Sequence, residues 1–136
     1  MIVHACHCTD CQRRCGSAFA VNLWIESDNV VLQTGELMQQ EGPGGESGEP
    51  FDSWSCSECG TALWGYFHKS PQGSRFVRAG TLDDPSAFTP DVHIYTRSKQ
   101  AWVHIPDDVP AFEGFYEFRE TWSADSLRRL GEMMGN

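Results

Sequence analysis

Three cysteines crowd the first part of the chain, and a second cysteine pair follows far downstream. Cys6, Cys8 and Cys11 form the first group, and Cys56 and Cys59 form a Cys-x-x-Cys turn. Thiolates at this spacing are typical ligands of a soft divalent cation, and zinc binds sulfur in tetrahedral sites at about 2.3 Å. The sequence therefore predicts a zinc protein in which all of these cysteines are metal ligands.

A disulfide framework is the alternative interpretation of an even number of cysteines. The residues from Met1 to Ala5 lack the basic segment and long apolar run of a signal peptide. Cys6 and Cys8 are also too close in sequence to bridge each other comfortably. We therefore expect a reducing, cytoplasmic location, where cysteine pairs are metal-binding or catalytic.

Spacing alone leaves two ligand arrangements open. In the first, Cys6, Cys8 and Cys11 form a three-sulfur site that keeps a free position, as catalytic zinc sites do, while Cys56 and Cys59 belong to a second site. In the second, one closed site combines the downstream pair with two sulfurs of the first group. An open site would bind a substrate thiol as thiolate beside an electrophile.

Length and charge limit the function classes. The chain has 136 residues, which fits one domain with its own hydrophobic core. A net charge of -9 opposes nucleic-acid binding, because a polyanion would be repelled. No apolar stretch approaches the roughly 20 residues that cross a bilayer, so we expect no membrane partner either. Arg13 and Arg14 are candidates for holding an anionic substrate against the negative field.

Alternating apolar residues predict a mainly β fold with no long crossover helix. Strand patterns bounded by glycine- and proline-marked turns cover residues 19–25, 29–33, 51–55, 61–67, 75–79 and 92–96. The glycine- and acid-rich stretch 41–50 is expected to be a mobile surface loop. Ser123 can cap a C-terminal helix over 123–135, whose apolar face would dock on the sheet or on a partner subunit.

Other chemically capable residues have plainer interpretations. Cys15 is expected to be a small buried residue, since free cysteine is among the most buried residue types. His4 and His7 lie near the first cysteines in sequence and are supporting ligand candidates only. His93 alternates with apolar neighbours in a strand pattern, so we expect it to face a cleft or solvent.

Blocks of the sequence, taken in order, resemble the glutathione-dependent formaldehyde-activating enzyme family. The matching blocks are CHCTDCQR at 6–13 with GSAF at 16–19, CSECGTAL at 56–63, GTLDDP at 80–85, and HIY at 93–95 through Ser98 to Trp102. The resemblance reaches from Cys6 to about Phe112. It implies an all-β beta-tent fold of stacked antiparallel sheets in a single zinc-binding domain over 1–136.

The same resemblance implies a zinc-dependent carbon-sulfur lyase acting on a thiol-aldehyde adduct such as S-hydroxymethylglutathione. Cys6, Cys8 and Cys11 then correspond to the ligands of a catalytic zinc, and Cys56 and Cys59 to half of a structural zinc site. The candidates for shaping the pocket or binding the glutathione-like thiol substrate are Arg13, Arg14, Gly16, Ser17, Phe19 and His93.

One departure from the family concerns the structural zinc site. Members usually begin with another Cys-x-Cys on an earlier strand, and the present sequence does not contain it. We therefore expect Cys56 and Cys59 to share one zinc with sulfurs of the first group, or to hold a weakened site. The missing strand is expected to leave a sheet edge unpaired, and a bare edge favours association into a homodimer.

Two other functions remain open at this point. In a binding or chaperone-like module, zinc would only hold the β fold together. A methionine sulfoxide reductase would need a reactive cysteine outside the metal sites, and Cys15 is available for that role.

Overall fold

The computed structural model describes residues 1–45 and 48–135, and β-strands dominate this part of the chain. The strands are β1 (Ile2–Cys6), β2 (Ala20–Glu26), β3 (Leu37–Gly42), β4 (Phe51–Cys56), β5 (Ala62–Phe67), β6 (Ser74–Arg78) and β7 (Val92–Ile94). The helices are α1 (Thr9–Cys15), α2 (Phe118–Thr121) and α3 (Ala124–Met133). The prediction of a mainly β fold with a short C-terminal helix is confirmed. None of the helices in the described ranges has the length and apolar character needed to span a membrane.

The strands join into one sheet in the order β3-β4-β5-β6-β2-β1-β7. Neighbouring strands are antiparallel except β1 and β7, which run parallel with His4 opposite Val92. β1 pairs on both sides, with β2 and with β7, so no bare edge lies beside it. The outer strands of the described sheet are β3 and β7. The expectation that a missing strand leaves a sheet edge unpaired stays a prediction. The homodimer stays a prediction.

The prediction of a strand at 29–33 is wrong. A 3-10 turn at Ser27–Asn29 replaces its start, and no strand follows it before β3. Val31 is 72% exposed and pairs with no neighbouring strand, which shows that β-branched residues form a strand only where packing and pairing support it. Conversely, the sequence analysis predicted no strand at the positions of β1 and β3. Residues 41 and 42, which were predicted to lie in the surface loop, belong to β3. Positions 46 and 47 of that loop lie outside the described residues.

The C-terminal helices dock on the sheet through an aromatic core. Trp24 of β2 stacks on Phe76 at 4.9 Å between ring centroids and meets Trp122 edge-on at 5.0 Å. The indole N–H of Trp122 donates to the hydroxyl of Tyr116 at 2.7 Å. The predicted cap is also confirmed, since the Ser123 hydroxyl accepts the backbone N–H of Ser126 at 3.1 Å. Burial of these rings stabilises the face of the sheet that carries the candidate site.

An ion pair also holds α3 against the sheet. The Arg129 guanidinium contacts both carboxylate oxygens of Glu26, with Nε 2.7 Å from Oε1 and Nη2 2.6 Å from Oε2. These hydrogen bonds hold the pKa of Glu26 at about 2, well below its usual value. The contact joins residues 103 positions apart in sequence and is two-point, the strongest geometry for such pairs.

We expect Glu26→Gln to lower the free energy of unfolding by about 1 kcal/mol at neutral pH, because the charged two-point contact is lost. The pKa of Glu26 is lower in the folded than in the unfolded chain, so the wild-type contribution is complete above about pH 4.5 and disappears as the pH falls towards 2. Urea unfolding across this pH range measures the difference. Asp28→Asn, at a nearby exposed carboxylate, is the control, and a wild-type advantage that persisted at about pH 2 would contradict the assignment.

Candidate metal and substrate site

The junction between β1 and α1 gathers the first three cysteines. Cys6 ends β1, Cys8 is the N-cap of α1, and Cys11 lies in the first turn of that helix. The Sγ of Cys8 accepts the backbone N–H of Cys11 at 3.3 Å and lies 3.5 Å from the Sγ of Cys6. All three sulfurs lie within 4.8 Å of one another. The short helix thus turns a cluster in sequence into a cluster in space.

The donor set fits a zinc ion. Bonds of about 2.3 Å to a tetrahedral zinc would separate two sulfurs by about 3.8 Å, close to the observed spacing. All of the cysteines are free thiols, and Cys6 and Cys8 are buried. The residues that would hold zinc are therefore Cys6, Cys8 and Cys11.

The three thiols differ in how easily they ionise. Hydrogen bonds from Cys11 and Cys6 lower the pKa of Cys8. The hydrogen bonds that Cys6 shares with Cys11 and Cys8, together with burial, raise the pKa of Cys6. Cys8 is thus the more readily ionised of these two thiols, and a divalent cation would favour ionisation of its neighbours.

A cavity of about 610 Å³ opens beside the three sulfurs. This volume is within the range of small-molecule sites. Its walls are largely aromatic, formed by Trp24, Phe51, Phe67, Phe76, Tyr95, Phe115 and Phe118. The sulfurs are therefore accessible from a space that admits a small ligand while its walls exclude much of the surrounding water.

Three cationic side chains line the same cavity: Arg14, Lys69 and Arg78. Arg78 ends β6, and its guanidinium donates to Asn22 Oδ1 at 2.6 Å. Arg14 donates to Asp10 Oδ2 at 3.3 Å, and its guanidinium lies 4.8 Å from the centre of the Phe51 ring. The carboxyl groups of Asp10 and Glu49 also line the cavity, so its described lining has three cations and two carboxylates. In a chain of net charge -9, the cavity is thus locally more positive than the whole, which favours an anionic ligand.

Comparison with known proteins identifies the family of the chain. Residues 1–98 match the family model described as "Glutathione-dependent formaldehyde-activating enzyme". The chain belongs to this family. It is also 30% identical over 107 residues to a Halomonas elongata protein named "Putative glutathione-dependent formaldehyde-activating enzyme". The match covers 74% of this chain and 65% of that protein, so the chain spans less than two thirds of the curated relative's length. The resemblance seen in the sequence blocks is confirmed.

In this formaldehyde-activating family member, the second cysteine pair lies apart from the first group. Cys56 ends β4, whereas Phe51 begins that strand at the cavity, and a six-residue strand spans about 17 Å. Cys59 is exposed, and Gly60 makes the turn with a φ of 75°. Among described residues, neither cysteine joins a group of three metal-ligating side chains. The structure therefore does not bring the downstream pair to a zinc shared with the first group, and a weakened separate site stays a prediction.

Four of the predicted substrate-binding residues divide between two places, and Phe19 and His93 line neither of them. Arg14 lines the sulfur cavity, but Arg13, Gly16 and Ser17 line a separate shallow depression beside Trp102. The depression lies on the other side of α1, because side chains at adjacent positions of a helix point in different directions. Of the two arginines, the structure brings Arg14 alone to the cavity beside the sulfurs.

The expectation that His93 faces a cleft or solvent is wrong. His93 is 6% exposed, and its Nδ1 lies 2.8 Å from Nε2 of His7. The segment around Phe112 pairs with the backbone at His93, since the Phe112 N–H donates to the His93 carbonyl at 2.9 Å. Phe19 packs on the His7 ring, 4.9 Å between centroids. Burial lowers the pKa of His93, and lowers that of His7 to about 4, so the pair is a neutral layer behind the cysteines.

Cys15 and His4 lie outside the sulfur cluster. Cys15 is exposed at the end of α1, so the prediction of a buried cysteine is wrong. His4 is buried and its Nε2 lies 2.5 Å from the Tyr116 hydroxyl, which gives it a structural partner. Lys69 and Arg78 were missed as cavity residues. The available signal was their positive charge in an acidic chain, but alternation alone does not say which face of a strand meets the cavity.

We expect Cys11→Ser to weaken zinc binding by at least roughly 10- to 100-fold, because a thiolate ligand is replaced by a hydroxyl. The measurement is zinc affinity by chelator competition, with thiolate-to-cobalt absorption after Co²⁺ substitution as a second readout. Both are made in a Cys56→Ser/Cys59→Ser background, so that the signal reports the first group. The exposed Cys15→Ser is the matched control, and equal affinities for the Cys11 and Cys15 variants would contradict the assignment.

Proposed function

We propose that this chain is a zinc-dependent carbon-sulfur lyase that acts on a thiol-aldehyde adduct such as S-hydroxymethylglutathione. The observation that carries the proposal is a cluster of three sulfurs opening onto a cavity that also presents Arg14, Lys69 and Arg78. Membership of the formaldehyde-activating family supports the same chemistry.

The proposed reaction needs no oxidant or reductant. The bond between the thiol sulfur and the hydroxymethyl carbon breaks, the carbon–oxygen bond becomes a carbonyl, and the hydroxyl proton is transferred to sulfur. The reverse reaction adds the thiol to formaldehyde. When bound, zinc supplies a Lewis acid that stabilises the thiolate form of the substrate sulfur.

Arg78 is the best placed residue to hold a substrate carboxylate. Its hydrogen bond to Asn22 fixes the guanidinium at the cavity wall, and the Phe51 ring centre lies 5.9 Å from it. A fixed guanidinium presents two parallel donors to a carboxylate. Lys69 supplies a second positive charge in the lining of the same cavity. Glutathione carries two carboxylates at a distance from its thiol, which suits cations placed around a sulfur cluster.

The aromatic walls would orient the reacting groups and limit water. Trp24, Phe76 and Phe118 line the cavity and pack on one another, with 4.9 Å between the first two rings and 5.7 Å between Trp24 and Phe118. A rigid apolar wall strengthens the electrostatic attraction between substrate carboxylate and cations. Holding thiol and aldehyde together also reduces the entropic cost of the addition.

Replacing Arg78 tests the substrate-binding part of the proposal. We expect Arg78→Gln to raise KM for glutathione by about 10- to 100-fold with a smaller change in kcat, because the lost charge-assisted contact is to a substrate carboxylate that takes no part in the bond changes. Exchange between formaldehyde and its glutathione adduct, followed by NMR, gives both constants. Arg75→Gln is the matched control on the same strand, since Arg75 lies over Trp54, 5.3 Å from its ring centre, and lines no part of the cavity. Equal KM values for the two variants would overturn the role of Arg78.

The zinc environment tests the reaction class. We expect glutathione to change the zinc-edge absorption spectrum of the zinc-loaded Cys56→Ser/Cys59→Ser protein, because a three-sulfur site keeps an exchangeable position. A zinc that only holds the fold together would have a closed shell, and its spectrum would stay the same. An unchanged spectrum at saturating glutathione would therefore favour the binding or chaperone-like module over the lyase.

A further inference from the structure

A second cluster of metal-ligating side chains lies away from the cysteines, on the outer strands of the sheet. Glu41 of β3 is directly opposite Asp52 of β4 in the strand register, and His68 follows the end of β5. Side chains alternate along a strand, so Asp52 faces away from its neighbour Phe51, which lines the sulfur cavity. The cluster of Glu41, Asp52 and His68 therefore belongs to the opposite face and takes no part in the proposed lyase site.

The charges in this cluster favour a bound cation. Two carboxylates directly opposite each other on paired strands repel. The Asp52 side chain is only 14% exposed, and its Oδ1 is buried without a hydrogen-bond partner. The other oxygen, Oδ2, lies 3.1 Å from Nε2 of His68. A buried carboxylate oxygen without a donor is costly, so a positive charge between these groups would stabilise them.

Arg75 is the cationic side chain that the structure places nearby on the same face. Its guanidinium lies over the Trp54 ring and 6.0 Å from the centre of the Tyr66 ring. Its Nη1 donates to the Ser74 carbonyl at 2.9 Å. These contacts direct Arg75 to the aromatic rings and the backbone instead of the buried oxygen of Asp52.

We propose that Glu41, Asp52 and His68 bind a divalent first-row metal ion that prefers nitrogen and oxygen ligands, with Mn²⁺ as the representative ion. One ligand atom from each residue lies within 4.8 Å of the others. Adjacent ligands of an octahedral ion are about 3 Å apart, so small side-chain rotations suffice. Carboxylates suit Mn²⁺, and an imidazole ligand disfavours Ca²⁺ and Mg²⁺.

The backbone already holds the nitrogen ligand in place. The His68 N–H donates to the Pro50 carbonyl at 3.1 Å, and the His68 ring lies 5.5 Å from that of Tyr66. A bound ion would tie the end of β3 to β4 and to the residue after β5. It would also steady the start of the segment where the Pro43 carbonyl accepts a hydrogen bond from Arg14 at 3.1 Å.

Manganese titration of the zinc-loaded protein tests the site, because the thiolate groups keep their zinc while Mn²⁺ seeks harder ligands. Electron paramagnetic resonance follows free Mn²⁺ in solution, and nitrogen hyperfine coupling reports an imidazole ligand. We expect one Mn²⁺ per chain with nitrogen coupling. His68→Gln should remove the nitrogen coupling, and both His68→Gln and Glu41→Gln should weaken binding at least about tenfold.

Matched controls separate the cluster from ordinary surface charge. Glu36→Gln and His104→Gln replace exposed residues of the same types outside the cluster and should leave Mn²⁺ affinity unchanged. Glu41 is exposed on an outer strand, so Glu41→Gln keeps the test valid even if an Asp52 variant fails to fold. No binding at about 1 mM Mn²⁺, or equal binding by cluster and control variants, would overturn the proposal.

Discussion

Parallel pairing of β1 with β7 is the constraint on which the candidate lyase site depends. β1 delivers Cys6 to the end of the sheet, and the His7 N–H donates to the Ile94 carbonyl at 3.0 Å where the two strands end. The Gln12 side chain then donates to the carbonyls of His7 and Ser98, at 2.8 and 3.0 Å. These bonds hold the turn between β1 and α1, and that turn sets the distances between the sulfurs.

The two faces of the β4–β5 region carry different groups of charged side chains. On the cavity face, Phe51 packs beneath Arg14 and Arg78, so cations meet an aromatic ring. On the other face, Asp52 lies opposite Glu41 and next to His68. Alternation along one strand thus separates a surface suited to anions from one suited to cations by a single residue step. A net charge for the whole chain hides this division, which is why the overall value of -9 is compatible with an anionic substrate.

Local patterns in the sequence correctly predicted those strands and helices whose intrinsic propensity is supported by pairing or packing with neighbouring elements. Strands β2, β4, β5 and β6 follow from alternation and turn residues, and Ser123 marks the start of α3. The run at Val31 failed because no strand pairs with it, and the sequence holds no sign of that absence. β1 was missed because all five of its residues are buried and show no alternation.

The candidate site likewise has one part that local sequence patterns indicated and another part that they did not. The group of Cys6, Cys8 and Cys11 was one of two arrangements that cysteine spacing left open, and the three thiols are local in sequence. Arg78 and the buried pair of His7 and His93 depend on contacts between distant segments, and the histidine pair joins residues 86 positions apart. Such contacts follow from the strand order, which periodicity alone does not determine. The exposed Cys15 shows that a general tendency of free thiols to be buried says little about one helical position.

The strand order has a consequence during synthesis. The segment with Cys6, Cys8 and Cys11 is synthesised before its parallel partner β7, which ends at Ile94. Domains of high contact order fold slowly, because distant segments must meet before they stabilise each other. Until β7 is made, His93 is not yet in place beside His7, and the nascent thiols are exposed to oxidants and to competing metals. A metal ion held by these three sulfurs would therefore bind only after β7 has been made.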